Sequence, residues 1–428
     1  MTPQVKQRIE QIRRGEVPEK YTQIKDGIFP SDWINKKMKQ WISLEERPVT
    51  LQDNEDYELV TVRRAYGGVD SRGIYKGKDV LVKNYFSVAK DDFIISKRQI
   101  AHGACGLVPE KLHGAVVSNE YNVFKANVGT NIHFFNLMMQ LPHYKRLFYL
   151  MSDGVHIEKL LFKTSDWMKR SLAMPPLAEQ KKIAEILSIQ DKLIALKENL
   201  LEEKKRQKKA LMQQLLTGKK RLPGFGGECT PIKLKKLLKE RKTYSQKGLE
   251  YPHVTLSTDG IYAKSERYDR DHLVKDENKE YKVTHRGDIC YTPANLKFGV
   301  ICVNDFGDAI FSPIYVTFEI QKDVDRDFLS NYLMRWDFIN AVRKYEEGTV
   351  YERMAVKPED FLKFQILLPP IEEQRAISKI LSFADKEIKL LQKELEQEKQ
   401  KKKALMQFLL TGIVRVNYER KQKRLLCL

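Results

Sequence analysis

The feature that most constrains this chain is that it is written twice. Residues 175–218 read PPLAEQKKIAEILSIQDKLIALKENLLEEKKRQKKALMQQLLTG, and residues 369–412 read PPIEEQRAISKILSFADKEIKLLQKELEQEKQKKKALMQFLLTG. They align without a gap at an offset of 194, with 25 identities in 44 positions. The offset continues outside the segment: Ser118, Tyr121 and Phe124 match Ser312, Tyr315 and Phe318, and Tyr57, Val60 and Thr61 match Tyr251, Val254 and Thr255. Glu46-Arg47 matches Glu240-Arg241, and Gly154, Lys163 and Asp166 match Gly348, Lys357 and Asp360. Between about residues 62 and 114 the register is lost. Two copies of one unit follow, each a diverged globular part and a closely matched helical part.

The matched part predicts a long helix. Pro-Pro followed by Glu-Gln suits a helix start and Thr-Gly a C-terminal cap. Leu187, Ile194, Leu201, Lys208 and Leu215 recur every seven residues, and Leu381, Ile388, Leu395, Lys402 and Leu409 repeat the column without change. A seven-residue apolar column is a coiled-coil seam, and a lone helix would expose it, so the two helices are expected to pack on each other. The second column, Gln190, Lys197, Lys204 and Leu211, is less apolar. The globular parts carry short β-type runs: Glu58 to Val62, Asp79 to Val82, Phe93 to Ile95, Val254 to Leu256, Ile289 to Tyr291, Val300 to Val303 and Ile314 to Ile320. Glycine turns separate them, and helical stretches follow at Asn131 to Met151 and Asp327 to Tyr345. Each copy therefore predicts a mixed α+β domain.

Charge narrows the function. Of 428 residues, 76 are Lys or Arg and 57 Asp or Glu, a net charge of +19 that points to a polyanion, nucleic acid before an anionic membrane surface. The basic residues interleave with aromatic and polar ones. Arg63, Arg64, Tyr66, Arg72, Tyr75, Lys76 and Lys78 fall within sixteen residues of the first copy. The second copy has Lys264, Arg267, Tyr268 and Arg270, then His285, Arg286, Tyr291, Asn295 and Lys297. Tyr351 and Arg353 form a further polar loop with Gly348-Thr349, whose first-copy counterpart is Gly154 with His156 and Lys159. Arg and Asn can read base edges, and Lys and Arg can neutralise phosphates, so these groups are the candidate DNA-binding residues.

No phosphate loop, dinucleotide fingerprint, H-E-x-x-H helix or G-x-S-x-G elbow occurs. The Pro-Pro pairs lack the flanking residues of an amino-methyltransferase motif, since Met174 and Leu368 precede them and Leu177 and Ile371 follow. The eight histidines never fall at metal-ligand spacing, so neither a catalytic nor a metal site is expected. Five scattered cysteines (Cys105, Cys229, Cys290, Cys302, Cys427) without a C-x-x-C pair, a charged N-terminus and no apolar run long enough to span a bilayer suggest a reducing cytoplasm without membrane contact.

The tandem plan, with Pro-Pro-x-x-Glu-Gln opening each helix and Leu-Leu-Thr-Gly closing it, resembles the specificity subunits of type I restriction–modification systems. Arg8 to Pro18 and Phe29-Pro30-Ser31-Asp32-Trp33 are similar to members of that family. The second copy departs from it, beginning Thr230-Pro231-Ile232 without a Trp33-type entry. The resemblance implies two tandem mixed α/β target recognition domains separated by two long antiparallel coiled-coil helices, with pseudo-twofold symmetry from the internal duplication. The expected divisions are an N-terminal segment 1–29, a first domain 30–174, a first helical repeat 175–218, a second domain 219–368, a second repeat 369–412 and a basic tail 413–428. Each domain would read one half of a bipartite site in double-stranded DNA. The helices would dock two modification (methyltransferase) subunits. Those partners, not this non-catalytic chain, would bind S-adenosylmethionine, and restriction/translocase subunits would join them. The residues alone leave open a standalone nucleic-acid-binding protein that also takes RNA, or a coiled-coil scaffold for acidic proteins.

Overall fold

The computed structural model describes residues 2–24, 27–154, 160–246, 250–264, 280–345 and 355–416. The chain divides into two compact units, Met1–Leu196 with Leu395–Leu428, and Lys197–Glu394.

In the first unit a four-stranded antiparallel sheet runs Cys105–Leu107, Phe93–Ser96, Tyr121–Ala126, Ile42–Leu44. All four residues of Phe93–Ser96 are buried, as suits a central strand covered on both faces. Phe93, Phe124, Phe135, Phe148 and Trp167 pack around it, mostly edge to face or tilted. Helices Ile132–Met139 and Pro142–Leu150 cover this sheet, the first capped by Asn131, the second opened by Pro142 at a position that needs no N–H. A five-stranded sheet runs Pro48–Thr50, Asn84–Ser87, Val116–Ser118, Asp56–Val62, Val69–Lys76. The β-type run Asp79 to Val82 is not a strand. Gly77–Asp79 is a 3-10 turn, and Gly77 lies so close to the Gln52 carbonyl that a Cβ would overlap it. Val80 fills a small core there and Leu81 projects outward, 99% exposed.

The second unit repeats the four-stranded order with Ile301–Val303, Ile289–Tyr291, Val316–Ile320 and Leu238–Glu240. A three-stranded sheet, Tyr244–Gln246, Glu280–Thr284 and Ala309–Phe311, corresponds to the Pro48–Thr50, Asn84–Ser87 and Val116–Ser118 side of the first unit's larger sheet. Val254–Ser257 pairs with Gly260–Ala263 in a hairpin that meets this sheet through a parallel bridge from His253 to Ile310. Helices Arg326–Leu333 and Trp336–Val342 follow. Structure thus recovers the register that sequence loses: Phe93 to Ile289 and Cys105 to Ile301 correspond at an offset of 196. A buried ion pair marks the same equivalence. Asp92 receives Arg47 and caps the Ala89 N–H, while Asp288 receives Arg241 and caps the His285 N–H.

The long helices are Leu177–Leu215 and Ile371–Leu409. The Gln of each Glu-Gln pair has a positional role. Gln180 Nε2 donates to the Pro175 carbonyl and its Oε1 accepts the Asn131 N–H, and Gln374 does the same with Pro369 and Asp325. Each glutamine so ties the start of a long helix to the cap of a domain helix. Gly218 and Gly412, with φ of +70° and +72°, end the helices in the left-handed conformation that glycine tolerates.

The helix segments pair antiparallel within each unit. In the first, Ile183 and Leu187 share a core with Leu405, Leu409 and Leu410, and Lys402 meets Asp191 at 2.5 Å. In the second, Leu211 and Leu215 share a core with Ile377 and Leu381, and Lys208 meets Asp385 at 2.6 Å. The seam residues Leu187, Leu201, Leu215, Leu381, Leu395 and Leu409 are buried, with Ile194 and Ile388 half-buried. The polar second column is satisfied by facing acids: Gln190 binds Glu398, Lys197 binds Glu394 and Lys204 binds Glu387. Among the described residues no helix is long and apolar enough to cross a membrane.

Candidate nucleic-acid interface

The first-copy basic cluster lies on one hairpin, Asp56–Val62 against Val69–Lys76. Pairing runs Leu59 to Gly73 and then Val60 to Ser71, which leaves Arg72 as the extra residue of a β-bulge. A bulge bends the strand and re-aims its side chain, and Arg72 is exposed. Arg63 and Arg64 sit exposed on the turn between the strands. Lys76 and Lys78 are exposed at the opposite end, about 20 Å away at 3.3 Å per residue. The hairpin therefore spreads over its length a cluster that is compact in sequence.

The turn is unusually fixed. Ala65 and Tyr66 both have left-handed backbones, φ +55° and +57°. Their N–H groups donate to the carbonyls of His102 (2.8 Å) and Gly103 (2.9 Å). The Tyr66 ring turns inward onto Gly103, where a Cβ would stand 3.1 Å from it, and joins the main core. Its hydroxyl is buried, with no hydrogen-bond partner among the described residues, and burial pushes its pKa up. Tyr66 thus points away from the exposed Arg63 and Arg64 it accompanies in sequence. Arg63 Nη2 donates to Asp70 at 2.5 Å, and Asp70 also accepts Lys111 at 3.4 Å. The Ser71 N–H, then Arg63 and Lys111, hold the Asp70 carboxyl below its ordinary range. Lys111 carried no motif, and only its place beside Asp70 brings it to notice.

In the second unit the hairpin turn is only Thr258-Asp259, and Lys264 follows it half-buried, its N–H bonded to the His253 carbonyl. Arg267, Tyr268, Arg270, Tyr351 and Arg353, like Gly348-Thr349, His156 and Lys159, lie outside the described residues. Arg286 is exposed on the turn before Ile289–Tyr291, where Asp308 accepts its N–H and also pairs with His285 at 3.1 Å. Asn295 (exposed) and Lys297 (half-buried) stand on the 3-10 helix Pro293–Phe298, beyond the other end of that strand. Tyr291 is fully buried and donates its hydroxyl to the Val356 carbonyl, a core role. Among the described residues no group of His, Cys, Asp and Glu is placed to hold a metal ion.

A second set of residues carries no motif in the sequence. Arg415 binds Glu179 and Asp32 in the first unit, and Arg221 binds Glu373 in the second. The signal was present, since Arg221 and Arg415 stand three residues past the matched glycines at the same offset. Arg8 and Tyr21 add bonds to the carbonyls of Ile413 and Gly412.

A family model described as Type I restriction modification DNA specificity domain matches residues 30–206 and 233–400. A putative type I restriction enzyme MjaX specificity subunit from Methanocaldococcus jannaschii is 24% identical over 93% of this chain and 97% of its own length. The MjaVIII specificity subunit of the same organism is 26% identical over 61% of this chain and 65% of its own. A chain from a structure addressing complex assembly and conformational transition of the type I R-M system has a similar fold, at TM-score 0.56 and 16% identity over 90% of this chain and 99% of that one. So does the S subunit of a type I restriction-modification system from M. genitalium, at TM-score 0.53 and 14% identity over 88% and 96%.

Proposed function

Because the chain belongs to the type I restriction modification DNA specificity family, we propose that its two domains each read one half of a bipartite duplex site. It is a DNA sequence-specificity subunit, of a non-catalytic family. The observation that carries the half-site reading is a contrast within the repeat: the two units share a strand order and a buried Arg–Asp pair, yet their hairpins and basic residues differ. One scaffold with two reading surfaces suits a site with two unlike halves. Arg63, Arg64 and Arg72 are the proposed readers of the first half, and Lys264, Arg267, Arg270, Arg286, Asn295 and Lys297 of the second, with Tyr351 and Arg353. Lys76 and Lys78 suit phosphate contacts.

The long helices supply docking faces. Opposite the seam, Ile189 and Leu196 are exposed seven residues apart, and so are Phe383 and Leu390 at the same offset of 194. An apolar stripe repeated in both units fits two modification subunits, one per stripe. Those subunits bring S-adenosylmethionine and the methyl-transfer chemistry, and restriction subunits join them in the cytoplasm. The test is to express the chain with the modification subunit of its own system and map methylated bases across the cell's DNA. One motif in two parts with a fixed gap is the expected result. A single uninterrupted motif, or none despite a stable complex, overturns the reading.

A further inference from the structure

We infer that Tyr66 is a positioning residue for the first half-site, acting through the Arg63–Arg64 turn without touching DNA. The inference rests on the reading of that turn proposed above. Consecutive left-handed residues are ordinary at a tight hairpin turn, but Asn and Gly fill such positions because they tolerate that backbone. Here Ala65 and Tyr66 fill them, and a bulky residue with positive φ persists only where its surroundings impose it. The surroundings that impose it are visible. Gly103, itself left-handed at φ +76°, leaves the space into which the tyrosine ring fits, and the two turn N–H groups bond to His102 and Gly103. Gly68 approaches Gly106 so closely that a Cβ on Gly106 would stand 3.3 Å from the Gly68 Cα. Asp70 then ties Arg63 toward Lys111.

Reading a base edge requires a guanidinium held in a defined place, because a bidentate pair depends on both distance and direction. A turn clipped to the core by an aromatic ring meets that requirement, and a loose one does not. The hydroxyl contributes nothing to the clip, since it is buried without a partner among the described residues. The ring and the hydroxyl therefore predict opposite results. Among the described residues the second unit has no comparable device, its hairpin turning through Thr258-Asp259 alone.

The experiment measures discrimination at each half-site by the assembled complex, methylating duplexes with single-base changes in either half. Tyr66→Phe should match wild type. Tyr66→Ala should lower discrimination at the first half-site at least tenfold and leave the second unchanged, the second serving as control for folding and assembly. Where the alanine variant fails to assemble, Tyr66→Leu replaces it, with a graded loss at the first half-site expected. Equal losses from Tyr66→Phe and Tyr66→Ala would mean that the hydroxyl and not the ring holds the turn, and would overturn the anchor as described. Unchanged discrimination in both Tyr66→Ala and Tyr66→Leu would show that the turn needs no anchor. A parallel Arg63→Ala/Arg64→Ala variant separates the two levels. If it changes discrimination and the tyrosine variants do not, only the anchor is wrong; if it too changes nothing, the turn does not read DNA and the inference falls with it.

Discussion

The two hairpins make the most informative comparison in the molecule. In the first unit strands of seven and eight residues meet at a clipped turn and carry a bulge. In the second, two four-residue strands meet at a two-residue turn. Beneath both lies the same four-stranded order. Divergence is concentrated where side chains face solvent, and identity where charges are buried. A surface free of packing constraints can change what it recognises without changing the fold that presents it.

The largest effects should come from cutting the hairpins apart functionally. Replacing Arg63, Arg64 and Arg72 together by alanine should relax one half-site only, at roughly 1–3 kcal/mol for each lost base-edge contact. Replacing Lys264, Arg267 and Arg270 should relax only the other. Methylation of duplexes altered in one half at a time checks both, and equal damage to both halves from either triple would break the division of labour.

Next come substitutions that should act alike in both units. Asp92→Ala leaves Arg47 with its longer pair to Glu45, at 3.6 Å, and Asp288→Ala takes from Arg241 the carboxylate it binds twice; both carboxylates are nearly fully buried. Removing one member of a buried pair costs about 3–5 kcal/mol. Hydrogen exchange resolved by peptide should show each unit loosened by its own variant, to a similar degree. A large effect in one unit and none in the other would show that the repeated pair is not doing the same work twice.

The Arg415 cluster should be asymmetric. Arg415 serves two carboxylates where Arg221 serves one, and Glu179 is fully buried. Arg415→Ala leaves Glu179 buried without its cation while Asp32 stays solvated, so the expected cost is about 3 kcal/mol. Arg415 holds the Asp32 carboxyl below its ordinary range. A lowered folded-state value means stability that is complete above the unfolded value, near pH 4, and lost as pH falls through the folded one. The gap between wild type and Arg415→Ala should therefore narrow in acid. Arg221 lowers Glu373 in the same sense, so the second unit keeps its acid sensitivity in that variant. Unfolding of each unit followed from pH 7 to pH 3 checks both statements.

Much of the architecture was legible because it repeats. Long helices and seam follow from period and offset, and the α+β character of each copy from its short β-type runs, glycine turns and later helical stretches. The region between residues 62 and 114 was not, because two extra residues in the second copy shift the offset to 196 and short buried strands share shape, not identity. Asp79 to Val82 reads as a strand because its apolar residues are β-branched or bulky, but the chain there is a 3-10 turn that sends Val80 into a small core and Leu81 into solvent. Tyr66 looked like a surface aromatic among arginines; only the space at Gly103 shows where its ring goes. The paired arginines Arg221 and Arg415 were readable in principle, and were hidden by lying just past the strongest stretch of the match.

The smallest effects sharpen the comparison along the helices. Lys208–Asp385 and Lys402–Asp191 are one contact made twice, whereas Lys197–Glu394 and Lys204–Glu387 have no twin, since Leu391 stands where Lys197 repeats and Glu398 where Lys204 repeats. All four lysines are half-buried at the seam edge and their acids are more exposed. Such pairs contribute up to about 1 kcal/mol and are screened by salt. Lys197→Met trades a charge at the edge of an apolar column for a side chain that packs there as Leu391 does, so it should be neutral or slightly stabilising. Either variant takes the cation from an acid, Glu394 or Asp385, but the twin of Lys208 is again a lysine, Lys402, so no apolar side chain packs at that place in either copy and Lys208→Met should be mildly destabilising. Thermal unfolding at low and at high salt measures the contrast, which should shrink as salt rises. If Lys197→Met costs as much as Lys208→Met at every salt concentration, the twinned and untwinned pairs are equivalent and repetition along the seam carries no energetic meaning.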